Sequence, residues 1–301
     1  MEIIKSNINF DFIGKQWYFI SASLFLILFS FIIFFTKGLQ FGVDFAGGVQ
    51  IYIKFNSIVP SSEVRKILSE GGFKDSSVQN FGREDASEFL IHLEQSNGNL
   101  ATITKDFEGL FIKAKGKDNF SIGKVEMVGP KVGADLTKRG AWALFYALLG
   151  ILIYVAIRFD YRFSPGGVIA LIHDVIISLG IFAFFGKKFD LTILAAVLTI
   201  IGYSINDTIV IFDRIREDMK KYPGMDIVPI INRAVNETLS RTILTSFTVF
   251  LVVIILFLFG GEVIHDFAFI MLMGVGVGTY SSIFIASPIF LYLYRRSEKK
   301  V

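Results

Sequence analysis

Six long apolar runs decide what this chain can fold into. A membrane span needs about 20 mostly apolar residues to cross a hydrocarbon core of roughly 30 Å. Residues 17–35, 141–157, 165–185, 191–212, 242–260 and 267–294 meet that demand. Four of the runs carry no charged or histidine side chain; the third is interrupted by His173 and Asp174, and the fourth by Asn206 and Asp207. The first run is too long for the apolar part of a signal peptide, which spans about 7–15 residues, and Thr36-Lys37-Gly38-Leu39-Gln40 after it offers no small-x-small cleavage site. It is expected to be a retained span. The expected fold class is therefore an α-helical membrane protein with six transmembrane helices.

Charge is distributed to match. Only 19% of the whole chain is charged, yet residues 36–139 hold 14 Lys/Arg and 13 Asp/Glu. That density is about the 25% of soluble domains, so residues 36–139 read as a water-facing insert between the first and second spans. Lysine and arginine counts near the spans set orientation, because these residues are retained on the cytoplasmic side. With the N-terminus inside, the inner segments contain Lys5, Lys15, Arg158, Arg162, Arg214, Arg216, Lys220, Lys221, Arg233, Arg241, Arg295, Arg296, Lys299 and Lys300, while the short outer loops contain only Lys187 and Lys188. The expected organisation is a cytoplasmic N-terminus (1–16), helix 1 (17–35), an extracytosolic domain (36–139), and helices 2–6 within 140–301. A cytoplasmic loop at 213–241 and a cytoplasmic C-terminus complete it. A chain with no Cys excludes disulfide scaffolds, thiol redox chemistry and Cys-based zinc sites. A net charge of +3 is too small to point to nucleic acid.

The insert reads as strand, helix, strand, strand, helix, strand. Gln50-Ile51-Tyr52-Ile53-Lys54-Phe55 alternates polar and apolar as a half-buried strand does. Pro60-Ser61-Ser62 opens a helix that Gly71-Gly72 closes. Strands are expected at 77–81 and 88–94, a helix at 99–115 from the spacing of Leu100, Ile103, Phe107, Leu110, Phe111 and Ala114, and a last strand at 121–128. The βαββαβ order predicts a ferredoxin-like domain. It shows no nucleophile–base pair, and His92 is expected on its surface.

Ionisable groups inside spans cost about 2.5–3.5 kcal/mol on insertion scales, so each is a functional candidate. Asp207 lies five residues, about 7.5 Å, from the inner end of the fourth span, and Asp174 lies nine residues, about 13 Å, from the inner end of the third. Arg241 stands where the fifth span begins, with a side chain long enough to reach toward Asp207. Thr245 continues its face, and Tyr203, Asn206 and Asp207 give the fourth span a polar side. A buried carboxylate beside a movable cation can alternate between a paired charged state and a protonated neutral one, which is proton-relay chemistry. The competing reading is a static Asp207–Arg241 bridge that fixes helix packing. His173 and Asp174 are candidates for the relay or for polar packing. Gly274, Gly276 and Gly278 in the sixth span are candidates for close helix packing or a hinge.

Several motifs resemble one family. Phe41-Gly42-Val43-Asp44-Phe45-Ala46-Gly47-Gly48 resembles the motif after the first span of SecD/SecF proteins. Val128-Gly129-Pro130-Lys131-Val132-Gly133 is similar to their Gly-Pro-x-x-Gly element. The run from Gly202-Tyr203-Ser204-Ile205-Asn206-Asp207 through Glu217, and Asn236-Glu237-Thr238 with Ser240-Arg241-Thr242-Ile243-Leu244-Thr245-Ser246, resemble the fourth span and fifth-span entry on the SecF side of that family. The resemblance implies a multi-pass protein of the bacterial cytoplasmic (inner) membrane. It would pair with SecD into a twelve-span unit of the resistance–nodulation–division superfamily. It implies the SecYEG translocon, YajC and YidC as partners, an unfolded translocating polypeptide as client, and membrane lipid around the spans. It implies no cofactor and no enzymatic activity, only protons as the coupling ion, with Asp207 and Arg241 in the proton pathway.

Three alternatives compete. A small-molecule exporter half of the same superfamily would carry a much larger outer domain. A purely structural subunit would use Asp207–Arg241 only to hold helices. An intramembrane aspartyl protease would use Asp174 and Asp207 as a pair, but Ile205-Asn206-Asp207 lacks the Gly-x-Gly-Asp pattern.

Overall fold

The computed structural model describes residues 9–73, 76–80, 87–93, 99–159 and 161–298, without the side chains of residues 262 and 263. Lys5, Lys299 and Lys300 of the charge count, and Phe81 and Glu94 of the expected strands, lie outside the described residues. Among the described residues, six helical segments are long and apolar enough to cross a membrane. They are α1 (Gln16–Thr36), α5 (Pro130–Arg158), α6 (Ser164–Phe184), α7 (Leu191–Lys221), α8 (Ile227–Phe259) and the composite of α9 (Glu262–Ser281), a π-helical turn (Ser282–Ala286) and α10 (Ser287–Glu298). The chain divides into two compact units, residues 41–141 with 189–191, and the remainder.

The smaller unit contains α2 (Val43–Ala46), β1 (Gly48–Phe55), α3 (Ser61–Glu70), β2 (Ser76–Asn80), β3 (Glu88–Leu93), α4 (Leu100–Lys115), a 3-10 turn (Lys117–Asn119) and β4 (Phe120–Val128). The strands form one antiparallel sheet in the order β2-β3-β1-β4, the ferredoxin-like arrangement. Its core follows from strand and helix periodicity. Val49, Ile51, Ile53 and Phe55 of β1 share one face and are buried against Val64 and Leu68 of α3 and Phe107 and Phe111 of α4. Each such Phe or Leu contributes about 1.5–3 kcal/mol on burial. α4 starts where Asn99 caps it, its side chain accepting the Ala101 N–H at 3.2 Å. His92 departs from the expected surface position: it is 6% exposed, because β3 pairs on both edges and its Cε1 lies against Gly48 at the β1 edge.

The glycine pair before β1 has a steric reason. Gly47 has φ +76° and Gly48 φ +115°, backbone that only glycine adopts without strain. A Cβ on Gly48 would stand 2.5 Å from the Leu93 carbonyl oxygen, and one on Gly133 would stand 2.8 Å from the Phe45 carbonyl oxygen. The two glycine motifs thus let the chain entering β1 lie directly on the start of α5.

In the larger unit, α6 and the sixth span are the most enclosed, and small residues on α6 let its neighbours approach. A Cβ on Gly180 would strike Ser30 of α1, and one on Gly166 would lie 2.9 Å from the Ala286 carbonyl oxygen in the π turn. Residues 213–241 are no open loop: α7 continues to Lys221 and α8 starts at Ile227, with Asp226 capping. Ion pairs hold these extensions together, as Arg214 of α7 engages Glu237 of α8 and Arg233 of α8 lies 3.9 Å from the Asp218 carboxylate of α7. The sixth span is not one continuous α-helix, and its break falls at the π turn, past the three glycines. The N-terminal segment is fastened to the same hairpin. Asn236 and Asn232 accept the Phe10 and Ile13 backbone N–H groups, each at 3.0 Å.

Replacing Gly48 with Ala should destabilise the smaller unit by about 1–3 kcal/mol, since strained φ and a carbonyl clash coincide. Thermal unfolding of the detergent-solubilised chain tests this. An unchanged midpoint would contradict the steric reading.

Candidate functional site

Two carboxylates are buried within the apolar runs of the larger unit, each held by hydroxyl groups from neighbouring spans, while a third buried carboxylate, Asp218, lies beyond them in the extension of α7 near Arg214 and Arg233. Asp174 on α6 is 1% exposed and Asp207 on α7 is 2% exposed. Asp174 Oδ2 accepts from Ser204 Oγ of α7 at 2.6 Å and from Ser281 Oγ of α9 at 2.8 Å. Its Oδ1 lies 2.9 Å from Nδ1 of the adjacent His173. The His173 ring stacks on Tyr280, whose hydroxyl donates to the Phe19 carbonyl of α1 at 2.6 Å. Asp207 Oδ2 accepts from Ser246 Oγ of α8 at 3.2 Å, and Thr279 Oγ1 of α9 lies 2.7 Å from that Ser246 oxygen.

Helical spacing produces the pairing. Ser204 and Asp207 are three residues apart on α7, so both fall on one face. Thr279 and Ser281 bring α9 to the two sites in turn. Both Gly274 and Gly278 let α9 lie close to α7: a Cβ on Gly274 would meet Ile200 at 2.3 Å, and one on Gly278 would meet Ser204 Cβ at 3.0 Å. Gly276 faces open space. The first and third glycines therefore set a packing distance that brings the hydroxyls within reach.

This chemistry suits reversible protonation. A carboxylate needs donors, whereas a protonated carboxyl needs an acceptor for its own O–H. Serine and threonine hydroxyls supply either by rotating, so both protonation states can be hydrogen-bonded without rebuilding the site. A fixed lysine or arginine partner would favour only the charged state.

The remaining candidates are placed as follows. Arg241 is exposed on α8, and it forms no ion pair within 4.0 Å of Asp207. The static bridge between the two is therefore absent from this structure. Thr245 donates to the Arg241 and Thr242 carbonyls of its own helix at 3.0 and 2.9 Å, and its side chain also stands beside the Asp207 carboxyl, as the sequence spacing suggests. Tyr203 is half-buried and Asn206 is exposed. Asp174 and Asp207 share no hydrogen bond and accept from different hydroxyls, unlike a carboxyl dyad that shares one proton. Ser204, Ser281, Thr279 and Ser246 are as much a part of these sites as the carboxylates. Among them Ser204, Ser281 and Thr279 escaped the sequence reading because uncharged hydroxyls are common in spans. The Thr279-Tyr280-Ser281-Ser282 run was the available signal. Among the described residues no group of three His, Asp or Glu side chains is placed to hold a metal ion.

Gly274→Ala should cost about 1–3 kcal/mol by overpacking against Ile200. Gly276→Ala should be neutral or stabilising by up to about 1 kcal/mol, from helix propensity alone. Thermal melts of the two variants in detergent separate these outcomes, and equal effects would refute a packing role confined to one face.

Comparison with known proteins agrees with this architecture. Residues 110–296 match the family described as "Protein export membrane protein SecD/SecF, C-terminal", and residues 32–57 match the "SecD/SecF GG Motif". The protein translocase subunit SecF of Magnetococcus marinus is 46% identical over 304 aligned positions, covering 100% of this chain and 97% of that protein. Its counterpart from Calditerrivibrio nitroreducens is 44% identical, covering 100% and 99%. The crystal structure of SecDF from Thermus thermophilus, a translocon-associated membrane protein, superposes with a TM-score of 0.88 at 35% identity. A SecDF structure in the Super-membrane-facing form gives 0.72 at 34%. This chain covers 97% and 100% of itself in those comparisons but only 40% of each SecDF chain. A full-length match at this identity, over the six spans, the ferredoxin-like insert and the glycine motifs together, places the chain in the SecD/SecF protein-export family, among its SecF members.

Proposed function

We propose that this chain is the SecF-type half of a SecD–SecF unit in the bacterial cytoplasmic membrane. It uses the proton motive force to drive late steps of polypeptide export through the SecYEG translocon. The observation that carries the proton step is the pair of buried carboxylates, each of which accepts from rotatable hydroxyls on spans other than its own. In this reading Asp207 takes up and releases the proton. Ser246 and Thr279 keep it hydrogen-bonded in both states, and Arg241, midway along α8, supplies a cation without locking it. Partnership with SecD is supported by the SecDF chains, of which this chain matches 40%. YajC and YidC are further partners on this reading.

Asp207→Asn, reconstituted with the SecD partner and the translocon, should abolish proton-driven export while leaving the complex assembled. Proton flux and export at the parent level would overturn the proton role. Loss of assembly with no separate flux defect would establish the structural reading instead.

The distribution of lysine and arginine supports cytoplasmic termini and an outer insert. Since the chain has no cysteine, single thiols report cleanly. Lys113→Cys, exposed in the insert, should react with a membrane-impermeant maleimide on whole spheroplasts. Met225→Cys, 49% exposed between α7 and α8, should react only after permeabilisation. The opposite pattern would invert the topology.

A further inference from the structure

A groove of about 710 Å³ lies between the start of α1 and the π turn with α10. Its apolar wall includes Ile20, Ile285, Pro288 and Ile289, with Leu291 buried at its floor. At one end stand Trp17, Tyr292, Arg295 and Arg296. Trp17 and Tyr292 are 70% and 62% exposed, and both arginines are exposed. Among the described residues, neither guanidinium nor the Trp17 indole N–H has a hydrogen-bond or ion-pair partner. No acidic side chain lines the groove. It is therefore a trough that is apolar along its length and offers unused donors and two positive charges at one end.

The dimensions match a lipid. From Ile285 to Arg296 is eleven residues, about 16 Å of helix. That is about half of a hydrocarbon core of roughly 30 Å, the depth of one leaflet. Trp and Tyr mark the headgroup level of a bilayer, and here they sit at the charged end. Basic pockets between spans on the cytoplasmic side bind anionic headgroups.

We infer that this groove is a binding site for one anionic phospholipid, its phosphate held by Arg295 and Arg296 and an acyl chain lying along the apolar wall. A zwitterionic choline lipid satisfies the wall equally but places a cation near two guanidiniums. An acidic peptide satisfies the charges but not the apolar trough. The occupied groove bridges α1 and α10, adding to the contact that the stacked Phe19 and Phe284 rings already make at 3.7 Å.

The test uses the full chain with Trp142→Phe, which leaves Trp17 as the single tryptophan. The protein is reconstituted in vesicles with brominated phosphatidylglycerol or brominated phosphatidylcholine at equal mole fraction. Quenching of Trp17 should favour the glycerol lipid by about fivefold in apparent affinity, the effect of one headgroup-level cation or more. The exposed pair R295Q/R296Q should erase the preference, while K220Q/K221Q, which removes two cations elsewhere, should retain it. Equal quenching by both lipids overturns the site. So does a preference that K220Q/K221Q weakens as much as R295Q/R296Q, since a diffuse field would then suffice. Relief of quenching by inorganic phosphate would assign the arginines to a free anion and overturn the lipid reading. Loss of the preference when the SecD partner is reconstituted alongside would assign the groove to a protein interface and overturn it equally.

Discussion

A carboxylate enclosed among membrane spans must be hydrogen-bonded at every moment, because no water competes for it and an unmatched charge is costly. In this chain that demand falls on Asp174 and Asp207, and hydroxyls meet it. Ser204 and Ser281 converge on one carboxylate, and Ser246, itself next to Thr279, reaches the other. Those four hydroxyls come from α7, α8 and α9, so the polar contacts tie three spans to two carboxyl groups. Replacing them with a fixed cation would give a stronger Coulombic contact and a site that holds only one charge state.

Hydroxyl side chains are short, and their reach sets the packing. A Ser Oγ reaches a carboxylate on another helix only if the backbones come close, and here glycine permits it. Gly274 and Gly278 remove the Cβ atoms that would hold α9 away from Ile200 and Ser204 on α7, and Gly166 and Gly180 do the same where α6 meets the π turn and α1. Lipid tails give no hydrophobic drive for spans to associate, so close van der Waals packing and interhelical hydrogen bonds must supply it. Packing and proton chemistry therefore depend on the same small residues.

This division explains what could be read in advance. The spans announce themselves, since 20 apolar residues have few other uses, and the insert's alternation at Ile51 and Ile53 fixes which face of β1 is buried. Asp207 and Asp174 stand out because charge in such runs is rare. Their partners do not: Ser204 reads as one more small residue in a span, and only the crossing of α6, α7 and α9 brings it to Asp174. Arg241 shows the reverse limit. Its position suggested a bridge, yet depth along a helix does not fix direction around it, and its guanidinium forms no ion pair with Asp207. His92 misled for a similar reason, because a polar residue in a strand paired on both edges can be enclosed by its neighbours. Residues 213–241 look like a loop when charge is read as exposure, whereas the pairs Arg214–Glu237 and Arg233–Asp218 use their charges to brace two helices.

The π turn reconciles two demands on the last span. An α-helix advances about 100° per residue, so a stripe of side chains facing one neighbour keeps facing it until the phase is broken. α9 must present Thr279 and Ser281 to the carboxylates, while α10 must bury Phe290 on Phe163, with ring centroids 4.0 Å apart, and Phe163 in turn packs on Phe212 of α7 at 5.1 Å. The wider π turn at Ser282–Ala286 shifts the phase between the two helices, and Ser287 Oγ donating to the Ser282 carbonyl at 3.3 Å occupies one acceptor of the altered ladder. Pro288 follows directly in the same helical run, where its missing N–H removes one donor from the ladder beside the π turn. One local change of pitch thus lets a single span serve a polar site along α9 and an aromatic stack along α10, and it leaves Arg295 and Arg296 at the exposed end of the same helix.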